Sequence, residues 1–311
     1  MQVLQAFIWD PLVFIFSDFQ FFLTILIGGL LNGFMYSLVA LGFVLIFKAS
    51  GVFNFAQGAM VLFAALTFVG LLEMGWPMWL AFIATVGVMV LLAYLVERLV
   101  LSKLVNQPPI TLFMATIGIA YFLDGFGQTI WGSEVKPLDV GIPRGGFEIG
   151  QVYITEFELV AAATSGVLVA VLAVFFQKTR IGRALRAVAD DHQAAMSVGI
   201  SLRTIWVIVW SVAGIVALVA GIMWGGKLGV QFSLVLVALK ALPVLILGGF
   251  TSIPGAIIGG LIIGAGENIA EVFWSGALGG GVQDWFAYVL ALGFLVFRPQ
   301  GLFGEKIIER I

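Results

Sequence analysis

The chain has no cysteine. That excludes disulfides, cysteine-ligated metal sites and thiol catalysis. Its one histidine, His192, falls in a loop expected on the cytoplasmic side, and with no cysteine beside it no catalytic triad or zinc cluster is expected. Charge is scarce too: 10% of the 311 residues are charged, against roughly 25% in an ordinary soluble domain. The net charge of −2 implies no nucleic-acid partner. No Lys or Arg precedes Lys48, so the N-terminus lacks the basic region of a cleavable signal peptide, and residues 1–18 are expected to remain in the mature chain. Trp9, Asp10 and Pro11 interrupt the apolar pattern there, which suits an interfacial segment.

Hydrophobic residues make up 61% of the chain. They gather in charge-free runs at Phe19–Phe47, Ala49–Leu72, Met74–Val96, Leu159–Gln177, Thr204–Gly226 and Ala241–Gly266. About 20 apolar residues in a helix cross a hydrocarbon core roughly 30 Å thick, so each run is long enough to span. Sustained apolar/polar alternation, the mark of a transmembrane β-barrel, is missing. The expected fold is therefore an all-α integral membrane protein, a polytopic bundle of about nine transmembrane helices with broken or re-entrant segments. Spans are predicted near 19–47, 57–74, 77–99, 110–131, 157–176, 204–226, 233–249, 254–275 and 284–298. One transmembrane domain, 1–311, accounts for the whole chain.

Lys and Arg accumulate in short cytoplasmic loops. Lys48, Arg98, Lys103, Lys178, Arg180, Arg183, Arg186, Arg298, Lys306 and Arg310 fall on one side of this scheme. The loop 132–158 on the other side carries Glu134, Asp139, Glu148, Glu156 and Glu158 against Lys136 and Arg144. The N-terminus is predicted outside and the C-terminus inside.

Gly29/Gly33, Gly221/Gly225, Gly255/Gly259 and Gly260/Gly264 stand four apart on presumed helices, a spacing that lets helix backbones approach closely in lipid. Packing is the expected role of each pair. Two stretches, Gly51–Ala59 and Gly248–Ala256, place Asn54 and Gln57, or Thr251, Ser252 and Pro254, between glycines in apolar surroundings. Both fit Gly-x-Phe-x-x-x-x-Gly-Ala, the kind of internal echo many transporters carry. Irregular backbone at membrane depth is tolerated only against protein or a water-filled cavity, so each stretch either lines a path or turns at the membrane surface.

Ionisable residues within spans cost about 2.5 to 3.5 kcal/mol at a helix centre. Asp124, Lys240 and Glu267, with Asn268 beside the last, are such residues. They either line a vestibule or tie helices together, with Lys240 or Lys227 as the available cations. Segment 178–203 reads as a short amphipathic helix, with Ile181, Ala184, Leu185 and Val188 on one face and Arg183, Arg186 and Asp190 on another. The small residues Ala194, Ala195 and Gly199 follow, suited to docking against another protein. Gly221–Leu228 matches part of a nucleotide-binding loop, G-x-x-x-x-G-K, but Leu228 replaces the metal-binding hydroxyl, and no ATP site is expected in this chain.

LLNGFMYSLVALGFVLIFKASGVFNFAQGAM, TLFMATIGIAYFLDGFGQTIWG, TRIGRALRAVADDHQAAMSVGI, LGGFTSIPGAIIGGLIIGAGE and FRPQGLFG, in that order, resemble the LivH-type permeases of branched-chain amino acid ABC importers. The resemblance covers nearly the whole chain. It implies the ABC importer permease fold in a bacterial inner membrane, a LivM-type second permease, two LivG/LivF-type ATPases that bind ATP and magnesium, a periplasmic solute-binding protein, and no cofactor on this chain. It also implies that Thr179–Ile200 is the coupling helix, with Thr179, Gly182, Arg183, Arg186, Ala187, Ala195 and Gly199 on the matching positions. Asn32, Tyr36, Asn54, Gln57, Asp124, Lys240, Thr251, Ser252, Glu267 and Asn268 are the candidate path residues.

Two departures bear on the solute. The family's Asn-Phe-Ala-His-Gly is here Asn54-Phe55-Ala56-Gln57-Gly58, and the proline common before the seventh span is absent ahead of Pro243. Relatives carry urea, short amides and small organic acids as well as amino acids. A secondary transporter or channel is the rival reading.

Overall fold

The computed structural model describes residues 7, 9–104 and 107–304; Lys306 and Arg310, placed above on the basic side, lie outside them. The helices are α1 (Asp10–Ser17), α2 (Phe19–Ser50), α3 (Gln57–Glu73), α4 (Met78–Leu99), α5 (Pro109–Trp131), α6 (Glu156–Lys178), α7 (Arg180–Asp190), α8 (His192–Ser197), α9 (Leu202–Leu228), α10 (Leu234–Gly248), α11 (Ile253–Leu278) and α12 (Val282–Phe297). The nine predicted spans match α2–α6 and α9–α12 to within about three residues at each end. Six of these helices are long and apolar enough to cross a membrane, and α3, α10 and α12 are shorter. At 1.5 Å per residue the 17, 15 and 16 residues of those three reach only about 23 to 26 Å. Pro11 opens α1 within its first turn, and eight residues cannot cross a bilayer. Its Phe14 meets Phe273 edge to face.

Segment 132–158, read from the sequence as a loop, contains a hairpin. β1 (Gly146–Ile149) pairs antiparallel with β2 (Val152–Thr155), and Gly150, at φ 71°, supplies the left-handed residue of the tight turn. Four-residue strands give too short an alternation to stand out in sequence.

The chain divides into two compact units. One takes in the described parts of Met1–Ser37, Gly141–Gly166 and Lys240–Ile311; the other takes in those of Leu38–Val140 and Val167–Leu239.

In the second unit α3 is the core. Every residue from Gln57 to Gly70 is buried, as expected of a helix that is apolar all round. It packs against α4, α5 and α9. Close approach is made possible by missing side chains: a Cβ on Gly221 would stand 2.7 Å from the Val61 carbonyl, and one on Gly58 2.7 Å from that of Val235. Helix α4 buries Ala81, Thr85, Met89 and Ala93 in one stripe and exposes Ile83, Val90, Leu91 and Leu95, the pattern of a helix with one face to lipid. Gly221–Leu228 forms the last turns of α9, not a loop after a strand.

In the first unit, two glycine pairs seen separately in the sequence interlock. A Cβ on Gly33 of α2 would lie 2.6 Å from the Gly260 carbonyl of α11, and one on Gly29 2.7 Å from that of Gly264. The two backbones touch. Between α10 and α11, Gly248 and Gly255 are equally close, and Leu302 and Phe303 donate their amides to the Leu247 and Gly248 carbonyls.

Candidate functional site

After Ser50 the chain does not turn away at the end of α2. Residues 51–56 fold back along it, so that Phe53 stacks on Phe43 with ring centroids 4.7 Å apart and Gln57 lies over Gly42, where a Cβ would be 2.1 Å from Nε2. Asn54, Ala56 and Gln57 are fully buried. This stretch is re-entrant, and its backbone is satisfied from within: Asn54 Oδ1 accepts from the Ala56 amide at 3.1 Å, and Thr116 Oγ1 accepts from the Phe55 amide at 3.2 Å. The side chain of Gln57 begins α3 with its Nε2 buried and without a hydrogen bond. Such an atom forgoes about 1 to 3 kcal/mol, a cost that suits a group kept for a purpose other than packing.

Thr116 went unremarked in the sequence because a threonine inside an apolar helix usually bonds its own preceding turn. It does that here too, to the Phe113 carbonyl at 2.9 Å. Thr116→Val, which keeps the shape and removes the hydroxyl, is expected to cost about 1 to 3 kcal/mol, read as a fall of several degrees in the melting temperature of the detergent-solubilised protein. Thr116→Ser should melt as the parent does. Equal melting of the valine and serine variants would show that the hydroxyl does not hold the re-entrant stretch.

Beside this stretch lies a cavity of about 330 Å³, lined by Phe55 and Ala59, by Ile117, Ala120, Tyr121 and Asp124 of α5, and by Phe232 and Val235. Positions 117, 120, 121 and 124 fall on one helical face. Asp124 accepts a hydrogen bond from Gln128 Nε2 at 2.9 Å.

The remaining path candidates lie in the other unit. Tyr36 donates to Glu267 Oε2 at 2.9 Å, joining α2 to α11. Asn268 reaches the Ile25 carbonyl at 3.5 Å. Asn32 stands on α2 one turn before Tyr36 and is half-buried. Lys240, offered above as a tie for Asp124 or Glu267, pairs instead with Asp284 at 2.8 Å. Thr251 and Ser252 sit in the tight α10–α11 turn, where Ser252 caps α11 by accepting from the Gly255 amide at 3.0 Å. The two stretches that share a sequence pattern therefore differ in shape: the first is re-entrant, the second a capped turn.

Segment 178–203 forms two helices. Thr179 caps α7 by accepting from the Gly182 amide at 3.1 Å. Asp191 caps α8 by accepting from Gln193 and Ala194. Gly182, Leu185 and Val188 are the buried stripe of α7, and a Cβ on Gly182 would lie 1.9 Å from the Phe176 carbonyl. Arg186 donates to the Phe176 and Gln177 carbonyls at 2.8 and 3.3 Å, closing the C-terminal end of α6, where a cation is favoured. Arg183 is exposed, Ala187 half-buried, Ala195 buried, and Gly199 takes φ 84° as the segment turns towards α9. Beyond it Arg203 Nε meets the buried Glu97 at 3.0 Å, and Trp206 Nε1 donates to the Ala49 carbonyl at 3.2 Å. Glu97, hidden in the sequence at the end of an apolar run, is fully buried, and its tie to Arg203 could not be read from the sequence.

The sequence pattern of the family described as branched-chain amino acid transport system / permease component matches residues 25–298. The chain belongs to this family. Among curated relatives, the high-affinity branched-chain amino acid transport system permease protein BraD of Pseudomonas aeruginosa is 28% identical over 93% of this chain and 98% of its own length. LivH of Escherichia coli K12, of the same description, is 28% identical over 95% and 99%. A probable branched-chain amino acid transport permease protein LivH of Methanocaldococcus jannaschii is 27% identical over 90% and 92%. The family member described here is thus a multi-pass membrane transport component, and the match takes in the re-entrant stretch, segment 178–203 and the interlocked glycines alike.

Proposed function

We propose that this chain is a permease subunit of an ATP-driven importer that carries branched-chain amino acids, or a related small polar solute, into the cytoplasm. The observation that carries the reading is the end-to-end likeness to permeases of that description. The chain works as one transmembrane domain in the inner membrane of a bacterial cell, N-terminus outside and C-terminus inside. It pairs with a LivM-type permease, two LivG/LivF-type ATPases that bind ATP and magnesium, and a solute-binding protein outside. It carries no catalytic site of its own. Asn54 and Gln57 of the re-entrant stretch, together with Asn32, Tyr36, Asp124, Lys240, Thr251, Ser252, Glu267 and Asn268, are its path candidates. Segment 178–203 is the coupling element, with Arg183 presented to an ATPase groove and Thr179, Gly182, Arg186, Ala187, Ala195 and Gly199 shaping and packing it.

Gentle affinity purification from the native membrane tests the assembly. Two ATPases and a second permease are expected to come with the chain, and uptake by the chain alone, without ATP, would replace this reading by a secondary transporter. Reversing the exposed charge in Arg183→Glu is expected to lower solute-stimulated ATP hydrolysis by on the order of tenfold or more, with the amount of inserted protein unchanged. Normal stimulation in that variant would remove Arg183 from the coupling surface.

A further inference from the structure

We propose that the cavity lined by Phe55, Tyr121, Asp124 and Phe232 is an ammonium-binding subsite on the solute path, with Asp124 as the counter-charge. The proposal deepens the permease reading and rests on it for the statement that a solute passes there.

Three other acids of the spans are met by a cation, and others accept a hydrogen bond. Glu97 is met by Arg203, Glu73 by Lys136 and Asp284 by Lys240; Glu267 accepts from Tyr36, and Glu158 and Glu271, near the ends of their helices, accept from Thr155 and from the Gln283 amide. Asp124 has an amide neighbour, Gln128, and among the described residues no Lys or Arg within ion-pair distance. It lies at the sixteenth of the 23 positions of α5, and it is half-buried. A carboxylate so placed cannot face lipid without a cost of several kcal/mol, and ionisable residues in spans face protein or water-filled space. The space that Asp124 faces is the cavity.

The rest of the lining specifies what the carboxylate is for. Phe55, Tyr121 and Phe232 bring three aromatic rings to the same cavity, and the negative face of an aromatic ring attracts a cation. Ala59, Ile117, Ala120 and Val235 complete it with aliphatic surface. One carboxylate, three rings and aliphatic walls match a primary ammonium attached to an apolar body. They offer nothing to a carboxylic acid lacking an amine and little to urea or a neutral amide. About 330 Å³ holds a solute of amino-acid size.

Because the chain has no cysteine, Ala120→Cys places a unique thiol on it at the cavity wall. Membrane vesicles containing the complete transport system are treated with a trimethylammonium or a sulfonate methanethiosulfonate reagent, and modification is read by mass on this chain. After correction for reactivity towards a free thiol, the cationic reagent is expected to react about tenfold faster or more, from attraction of one ion and repulsion of the other by a nearby carboxylate. Asp124→Asn in the same background should bring the ratio close to one, and Tyr121→Leu, at an exposed position, should lower it partly. L-leucine should slow labelling; 4-methylpentanoate, leucine without its amine, should not. Absence of labelling, with the cavity covered by lipid or by a second subunit, would overturn the proposal. So would equal rates for the two reagents, or equal protection by the two solutes. ATP dependence of uptake, measured in the same vesicles, is independent of the labelling ratio: its loss would sink the importer reading and leave the subsite standing.

Discussion

Gly182→Leu is expected to abolish solute-stimulated ATP hydrolysis while leaving the protein inserted in the membrane at normal levels. Even the first carbon of a side chain there would stand 1.9 Å from the Phe176 carbonyl, far inside any van der Waals separation, and the obstacle is backbone that cannot rotate away. Helix α7 would have to lift from the end of α6. That movement would also part the Thr179 cap from the Gly182 amide and Arg186 from the carbonyls it closes. The apolar spans do not depend on this joint, so insertion should survive. Gly182→Ala meets the same carbonyl and should be impaired as well, whereas substitution of Gly118, around which nothing lies within 4 Å, should be silent. Wild-type stimulation in Gly182→Leu would mean that the position of α7 against α6 is irrelevant to coupling.

Gly33→Leu is expected to do the opposite: to lose the folded protein before any question of coupling arises. Its Cβ would lie 2.6 Å from the Gly260 carbonyl and 2.8 Å from Leu261 Cα, so α2 and α11 would separate. Overpacking costs about 1 to 3 kcal/mol. Breaking the Tyr36 bond to Glu267, which is 3% exposed, would add about 1 to 3 kcal/mol for the stranded carboxylate. A fall in melting temperature on the order of 10 °C, or loss of a monodisperse peak in detergent, is the expected result. Gly118→Leu serves as the control for adding leucine to a membrane helix. If both variants melt alike, the close approach of α2 and α11 contributes nothing particular.

Much of this architecture was legible in the residues because a membrane imposes one dominant rule. A helix that must cross lipid carries a long apolar run, and charges mark its ends, so the nine apolar helices could be placed closely. The glycine spacings foretold close packing; which pair meets which could not be read, since Gly29 and Gly33 lie more than two hundred residues from Gly260 and Gly264. The Gly51–Ala59 stretch was recognisable as irregular from Asn54 and Gln57. Its fold-back depends on Gly42, Phe43 and Thr116, none of which stands out in a run of similar residues. Lys240 illustrates the limit most plainly. The sequence offered it to Asp124 or Glu267, and its partner proved to be Asp284, read in the sequence as the start of a span. The two stretches that share one pattern differ because a pattern of residue types does not encode the clamp that Leu302 and Phe303 place on the second.

Segment 178–203 is fastened at both of its ends. At its start, Thr179, Gly182 and Arg186 bind it to the last turn of α6; its last residue, Arg203, holds Glu97 of α4, and just beyond it Trp206 holds the end of α2. A strut pinned in this way cannot relieve a load by peeling from one support. Pressure on the exposed side of α7 would be passed to α6, α4 and α2 together and not to a single neighbour.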